Sequence, residues 1–272
     1  MTKVEILDKF KLDVFNIPIE AKKLSFDLNF LEYDVRYYFY GLFQNTVNQY
    51  YLGWNILFFF EEVDSKKIYK LYFDENLDEF KKNHIEKLFF IQDAKPKETY
   101  QRNLNGNLIL RSFATFETCI NLIFEKLCNK DEFNTYVAKK IKDENSFINN
   151  NDFSNAQKEA IIKKLTPDIS LHKKIRFITK KMGCYEEREN DLTFIEFISD
   201  YRNCLIHNNG IFNKNGHEKE YFGSKFIFAK GKELVIQEES LLINWKICFE
   251  MKAIFTRLIT NLNHDGLIEY PD

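Results

Sequence analysis

The stretch NLILRSFATFETCINLIFEKLC, from Asn107 to Cys128, has the strongest helical pattern in the chain. Its apolar residues recur every three or four positions, which is the spacing of one face of an α-helix. The same spacing runs from about Tyr33 to Phe58 and from Glu238 to Asn263, so two more long helices are predicted there. We therefore expect a mainly α protein in which amphipathic helices pack into a bundle.

The segments between these helices contain both helical and loop signals. Asn76 to Gln92 and Leu192 to Asn208 are each predicted to be helical from the spacing of their apolar residues. Pro96 marks a loop, and the polar stretch from Asn145 to Asn155 is rich in residues that favour turns. We divide the chain into an N-terminal extension of unknown role (residues 1–100), which can pack into the same bundle, and a helical domain (101–272).

Three stretches alternate between apolar and other residues, as strands do. Two of them, Val4–Val14 and Leu24–Phe30, predict a small β element near the N-terminus. The third, KFIFAKGKELVI, predicts a short β-hairpin that turns near Lys230 and Gly231, just before the last helix.

Composition excludes several classes of protein. The net charge of −2 gives the chain as a whole no polybasic character. The five scattered cysteines form no CxxC pair, which is typical of reduced cysteines in a cytoplasmic protein and predicts no zinc site. No signal peptide is apparent, and polar residues interrupt the aromatic run from Tyr33 to Phe60, so we expect no membrane span. Phosphate-binding glycine loops, HExxH and GxSxG are all missing, and no cofactor is predicted.

A polar group ends the predicted helix from Leu192 to Asn208, in the stretch DYRNCLIHNNG (Asp200–Gly210). On a helical wheel six apolar residues form the core face: Phe194, Phe197, Ile198, Tyr201, Cys204 and Leu205. The opposite face holds four polar residues: Glu196, Asp200, Asn203 and His207. Arg202 and His207 are therefore not needed for packing this core.

Arg202 lies on a flank of the same helix, beside Ile195 and Ile206. Both isoleucines fall outside the core face, and we expect another surface, such as a second subunit, to cover this flank. The alternative is an ordinary solvated helix end, with the Arg202 stem over the two isoleucines and its guanidinium in water.

An arginine and a histidine at one helix end are suited to RNA cleavage. The ribose 2′-OH can act as the nucleophile, so the reaction needs a proton acceptor near neutral pH, and histidine serves that role. It also needs fixed positive charge where negative charge gathers on phosphorus, which the guanidinium of Arg202 supplies. One chain offers a single His207, whereas two chains facing each other offer an acid and a base.

The sequence RNCLIH, followed by NNG, resembles the signature of the HEPN (higher eukaryotes and prokaryotes nucleotide-binding) superfamily. That signature is an arginine, often followed by a polar residue, and a histidine after four to six intervening residues. The resemblance covers about Leu104 to Asn263 and includes LRSFATFETCINLIFEKL, which is similar to the family's helix with an inward glutamate. Arg257 and His264 are also spaced within the allowed range, but Arg257 is followed by Leu258 and the pair ends the last helix.

The resemblance implies a HEPN-like helical bundle, a homodimer with both motifs in one cleft, and a metal-independent endoribonuclease. It assigns transition-state stabilisation to Arg202, acid/base catalysis to His207 and orientation to Asn203, with Glu117 and Asp200 in supporting positions. Family members are commonly toxins or effectors of abortive infection and antiphage defence, which implies an RNA substrate and an antitoxin or regulatory partner. Some of those toxins carry a modified tyrosine where this chain has Asn209.

Two other functions remain open from the residues alone. One is a catalytically inactive HEPN module that binds RNA or a protein partner, and the other is an antitoxin-like structural partner. A basic run bears on the first; it contains Lys173, Lys174, Arg176, Lys180 and Lys181. Such a run is either a solvated helix face or a track for the RNA backbone.

Overall fold

The protein is mainly α-helical, as predicted. The computed structural model describes residues 11–17, 19, 34–62, 94–127, 154, 169–182, 185–206, 211–237 and 242–262. The long elements are helices α1 (Val35–Glu62), α2 (Ala94–Leu127), α3 (Leu171–Lys181), α4 (Arg188–Ile206) and α5 (Ile243–Asn261). A three-stranded antiparallel sheet, β1 (His217–Tyr221), β2 (Ser224–Phe228) and β3 (Val235–Gln237), lies between α4 and α5 in the chain. No helix in these ranges is both long enough and apolar enough to cross a membrane.

Helix α2 is the centre of the bundle and packs against α1, α3, α4 and α5. Phe116, Ile120 and Phe124, spaced at four residues, are fully buried on it. The helix begins at Ala94, so the loop predicted at Pro96 is wrong. Proline is tolerated in a first helical turn, where its missing N–H would have no partner within the helix.

Helices α1 and α2 run antiparallel and approach closely. Val35 lies near Cys119 at one end, and the Tyr50 hydroxyl donates a hydrogen bond of 2.9 Å to Asn105 towards the other. Gly53 permits this approach, because a Cβ there would come within 2.5 Å of a methyl group of Leu104. Helix α2 is continuous through residues 100 and 101, and α1 packs on it, so residues on both sides of that predicted boundary share one core.

The predicted N-terminal β element is wrong where the structure describes it. Residues 11–17 are helical, with Val14 and Ile17 fully buried. Phe15 packs edge-on against Tyr51 of α1, with ring centroids 6.1 Å apart. Val14 and Ile17 are three positions apart, a spacing that places both on one face of a helix. Packing against α1 therefore selects the helix over the strand that the alternation predicted. The remaining residues of the two alternating stretches lie outside the described ranges.

The predicted hairpin is confirmed and forms part of a larger sheet. β2 and β3 pair with Phe226 opposite Ile236, and Gly231 in the turn has a φ of 73°. The additional strand β1 was missed because its sequence, HEKEY, has little apolar content. It joins β2 through a two-residue turn, Phe222–Gly223, in which both φ angles are positive, as type I′ turns require.

Aromatic side chains fasten the sheet to α4. The Phe197 ring lies 4.4 Å from that of Tyr221 and 4.7 Å from that of Phe226, measured between centroids. Tyr201 also contacts Phe226, and its hydroxyl donates a 2.6 Å hydrogen bond to Asn244 of α5. One side of α4 therefore meets the sheet, while the other meets α2 and α3.

Candidate functional site at the end of helix α4

Arg202 lies on the flank of α4 that faces α2. Its guanidinium carbon is 5.5 Å from the centroid of the Phe113 ring, within the range of a cation–π contact. Its Nη1 donates a 3.1 Å hydrogen bond to Oδ1 of the neighbouring Asn203. Both side chains are half-buried. In the described part of the chain the guanidinium contacts no carboxylate, so its charge remains available to an anion.

The flank beside Arg202 is covered by the chain itself at Ile195 but not at Ile206. Ile195 is completely buried and Ile206 is 44% exposed. The prediction that this flank awaits another subunit is therefore wrong for Ile195. A helix packed between a sheet and two helices buries a wider arc than its most apolar stripe indicates, and the helical wheel alone does not show this.

The predicted core face of α4 is otherwise confirmed. Five of its six residues are buried, and Leu205 is partly buried against the same core. The Cys204 thiol is among them, and burial raises its pKa to about 11, with the nearby Asp200 carboxylate adding to the effect. A thiol in this state is protonated at neutral pH and is a poor nucleophile.

Asp200 joins α4 to the strand region that follows it. Its carboxylate lies 2.6 Å from Nζ of Lys214 and 3.6 Å from Nε2 of His217. The His217 ring stacks on Phe228 at 4.6 Å and meets Phe212 edge-on. Nothing in the sequence spacing marks Lys214 or His217 as neighbours of Asp200, because the sheet brings them together. Asp200 thus connects α4 to Lys214 and to the start of β1.

His207, Asn208, Asn209 and Gly210 lie outside the described residues. The chain on both sides is fixed: α4 ends at Ile206, and Phe212 is buried. The backbone N–H of Phe212 donates to the carbonyl of Lys232 at 3.0 Å, and its own carbonyl accepts from Gly231 at 2.8 Å. The catalytic assignment of His207 therefore stays a prediction from sequence.

Glu117 is on the helix that meets Arg202, but no ion pair joins these two described residues. The ring that Arg202 covers belongs to Phe113, one helical turn before Glu117 on the same face of α2. Helix α2 thus positions the arginine through an aromatic face. The aromatic partner is not recognisable from the sequence, in which Phe113 is one of 28 phenylalanines.

Arg257 is the other arginine with a histidine at a permitted spacing, and its guanidinium is held by two carboxylates. Its Nη2 lies 2.6 Å from Asp191 of α4 and 2.7 Å from Glu250 on its own helix. Burial opposes its charge, but the hydrogen bonds that it donates to Asp191 and Glu250 raise the pKa of Arg257 above its ordinary value. The Tyr185 hydroxyl also donates to Asp191. Arg257 is already neutralised, unlike Arg202.

The basic run on α3 divides into exposed and buried residues. Lys173, Arg176 and Lys180 are exposed on one face, and Lys181 is exposed beside it with its Nζ 5.1 Å from the Phe177 ring centroid. Lys174 points inward, is 2% exposed and donates a 2.7 Å hydrogen bond to Asn121 of α2. Its assignment to an RNA-binding track is therefore wrong. We define the α3 basic stripe as Lys173, Arg176 and Lys180.

No family model, curated protein or solved structure matches the chain. Among the described residues, no three His, Cys, Asp or Glu side chains are grouped as a metal site would require.

Proposed function

We propose that this protein is a metal-independent endoribonuclease whose catalytic groups are Arg202 and His207, contributed by two copies of the chain. The observation that carries the proposal is the state of Arg202. Its guanidinium is half-buried, oriented by the Phe113 ring and Asn203, and contacts no carboxylate among the described residues. An arginine held in this way is suited to bind a phosphodiester with two parallel hydrogen bonds.

The proposed reaction uses the substrate's own nucleophile. A neutral His207 accepts the proton of the ribose 2′-OH while the 2′ oxygen attacks phosphorus. Arg202 stabilises the charge on the non-bridging oxygens of the phosphorane. A protonated His207 from the second copy gives its proton to the leaving 5′ oxygen. The products are a 2′,3′-cyclic phosphate and a 5′-hydroxyl end, so no water or metal ion enters this step.

Three features support this assignment over the rival arginine. Arg202 precedes a histidine by five positions at a helix end, Asn203 directly follows it and bonds to it, and Arg257 is occupied by two carboxylates. The resemblance to the HEPN signature agrees with the same residues. We extend it to the biological role, a toxin or antiphage effector controlled by an antitoxin or regulatory partner.

The experiment compares purified wild type with Arg202→Ala, Arg202→Lys and His207→Ala on a mixed RNA substrate, with and without EDTA. We expect each Ala variant to lower cleavage by at least about 100-fold, and Arg202→Lys to lower it less, because the ammonium keeps the charge but loses the planar fork. EDTA should have no effect. Arg102→Ala, at an exposed arginine on α2 outside every proposed RNA contact, is the matched control.

Sequencing of the RNA ends completes the test. New 2′,3′-cyclic-phosphate ends that depend on both Arg202 and His207 would support the proposal. Undiminished cleavage in both Ala variants of correctly folded protein would overturn it.

A second function is favoured by the α3 basic stripe. A catalytically inactive module could bind RNA through Lys173, Arg176 and Lys180, which are spaced along one exposed face. This alternative predicts RNA binding that weakens with added salt and no cyclic-phosphate ends at any enzyme concentration. The two functions therefore predict different RNA products, although both predict RNA binding.

A further inference from the structure

Helix α1 exposes an unusual surface along its whole length. Seven residues separated alternately by four and three positions are exposed on one side; they are Tyr38, Leu42, Asn45, Gln49, Leu52, Ile56 and Phe59. We call this set the α1 stripe. Its large apolar residues are well exposed: Tyr38 49%, Leu42 46%, Leu52 59%, Ile56 37% and Phe59 57%. Alternation of three and four is the spacing of a coiled-coil seam.

The composition of α1 distinguishes this surface from an ordinary solvated helix face. No charged residue occurs from Tyr37 to Phe60, a run of 24 positions, although charged residues make up 29% of the chain. Depletion of charge and enrichment of aromatic residues are the marks of the centre of a protein–protein interface. A continuous exposed apolar patch on a folded chain also indicates a binding surface.

Six of the seven residues of the α1 stripe pair with one another when a second helix is reversed, and Phe59 lies beyond the paired part. When a two-fold axis crosses the helix pair at the level of Val47, Leu42 faces Leu52 of the second copy and Tyr38 faces Ile56. The two central amides, Asn45 and Gln49, face each other in the same register. In coiled-coil terms each a position meets a d position, which is the pairing of antiparallel helices. A two-fold axis makes such an interface self-complementary.

In the antiparallel register, the two central amides are placed to form a hydrogen bond with each other. Oε1 of Gln49 accepts a hydrogen bond from Nη1 of Arg111, which leaves its Nε2 group as a donor. The Asn45 side chain forms no hydrogen bond within the described ranges, so its oxygen can accept from Gln49 of the second copy. A polar residue at a seam position commonly sets register and orientation at some cost in affinity.

The size of the surface suits a second copy. The five apolar side chains expose roughly 500 Å² per chain, so their complete burial in a symmetric pair would cover about 1,000 Å², the minimum expected of a biological interface. We propose that the α1 stripe is a self-association surface on which α1 of a second copy packs antiparallel. This inference does not rest on the proposed ribonuclease activity.

The test measures mass by sedimentation or light scattering over about 1 to 100 µM, concentrations that span moderate affinities. Leu42→Glu and Leu52→Lys each place an unpaired charge against the apolar seam, and each is expected to halve the mass of the wild-type assembly. The double variant Leu42→Glu/Leu52→Lys is expected to restore it, because the antiparallel register sets each new carboxylate opposite a new ammonium. Leu122→Glu, at an exposed leucine of α2, is the matched control and should leave the mass unchanged.

Several results would overturn the proposal. If wild type has the mass of one chain, the stripe is covered by the chain's own residues or by another protein. If the single variants keep the wild-type mass, association uses a different surface. If the double variant stays dissociated, the packing is not antiparallel. Thermal unfolding of each variant checks that it is folded. A wild-type mass of one chain would also count against the two-copy ribonuclease site, whereas the other two results concern the α1 stripe alone and leave the ribonuclease proposal intact.

Discussion

Arg257 of α5 is paired with Asp191 of α4 at 2.6 Å, and this pair links two helices at a buried carboxylate that is 3% exposed. Arg202, only eleven positions after Asp191 on α4, contacts an aromatic ring and an amide instead. Both arginines precede a histidine at a similar spacing. The carboxylate partner indicates which one holds the fold together and which one is available for a ligand.

Substitution of the two arginines should lower the free energy of unfolding by different amounts. Arg257→Ala leaves Asp191 buried without its cation, and we expect a loss of about 2–4 kcal/mol in the free energy of unfolding. Arg202→Ala removes one cation–π contact and one hydrogen bond, and a loss of about 1 kcal/mol is expected. Urea unfolding of the two variants beside wild type measures both. Equal losses would contradict the division of roles.

The Phe113 ring should matter to activity more than its burial implies. Phe113→Leu removes the aromatic face under Arg202, so we expect cleavage to fall about 10-fold through loss of guanidinium position. Phe116→Leu, one turn away on α2 and fully buried, is the matched control. Both substitutions should lower stability similarly, by about 1–2 kcal/mol. If cleavage falls equally in both, the effect is one of stability and Phe113 has no positioning role.

The buried Lys252 should make the free energy of unfolding rise with pH. It is 1% exposed, its Nζ lies 5.6 Å from the Tyr40 ring and 5.5 Å from the Phe43 ring, and burial lowers its pKa from 10.5 to about 8. The unfolded chain therefore binds more protons at this site between about pH 8 and 10.5, so the free energy of unfolding rises with pH across that window. Below pH 8 the cost of burying the charge is fully present.

Substitution of Lys252 by Met should remove this dependence. We expect Lys252→Met to be more stable than wild type at pH 7, by at most about 3 kcal/mol, since a pKa unit corresponds to about 1.4 kcal/mol. The advantage should shrink at pH 9.5, as the folded wild type becomes neutral at this position. Urea unfolding at the two pH values measures it, with the exposed Lys246→Met as control. An advantage that is the same at both pH values would contradict the prediction.

The α3 basic stripe should control RNA affinity without affecting the fold. Replacing Lys173, Arg176 and Lys180 together by Ala is expected to lower the salt dependence of binding to single-stranded RNA by about 2 in the log–log slope. The control removes three exposed lysines elsewhere, Lys95, Lys230 and Lys232. An equal change in both triple variants would show that only overall charge matters. Lys174→Met should instead reduce stability, because Lys174 is buried against Asn121.

The fold class and most helix positions were predictable from the spacing of apolar residues. α1, α4 and α5 lie where that spacing places them, because long amphipathic patterns select a helix over a strand. α2 contains the predicted pattern from Asn107 but begins at Ala94, and the helix predicted at Asn76–Gln92 lies outside the described residues. Short patterns were less decisive. Residues 11–14 belong to a stretch predicted as a strand, yet residues 11–17 form a helix, because helical spacing buries both Val14 and Ile17.

The candidate site was only partly predictable for the same reason. Arg202 and Asn203 were found because they are neighbours in one helix, and their hydrogen bond is local. Phe113, Lys214 and His217 reach the site from 89, 12 and 15 positions away from Arg202, through helix packing and sheet pairing. No local pattern encodes such contacts.

The sequence by itself determined that α1, α2, α4 and α5 are helical and which face of α4 is apolar, and it places Arg202 five positions before His207. These are properties of residues a few positions apart. Only the tertiary structure decided that Arg202 rests on Phe113, that Arg257 is neutralised and Lys174 buried, and that α1 presents an uncharged stripe outward. Each of these depends on which surfaces meet, and that is set by the packing of the whole bundle around α2.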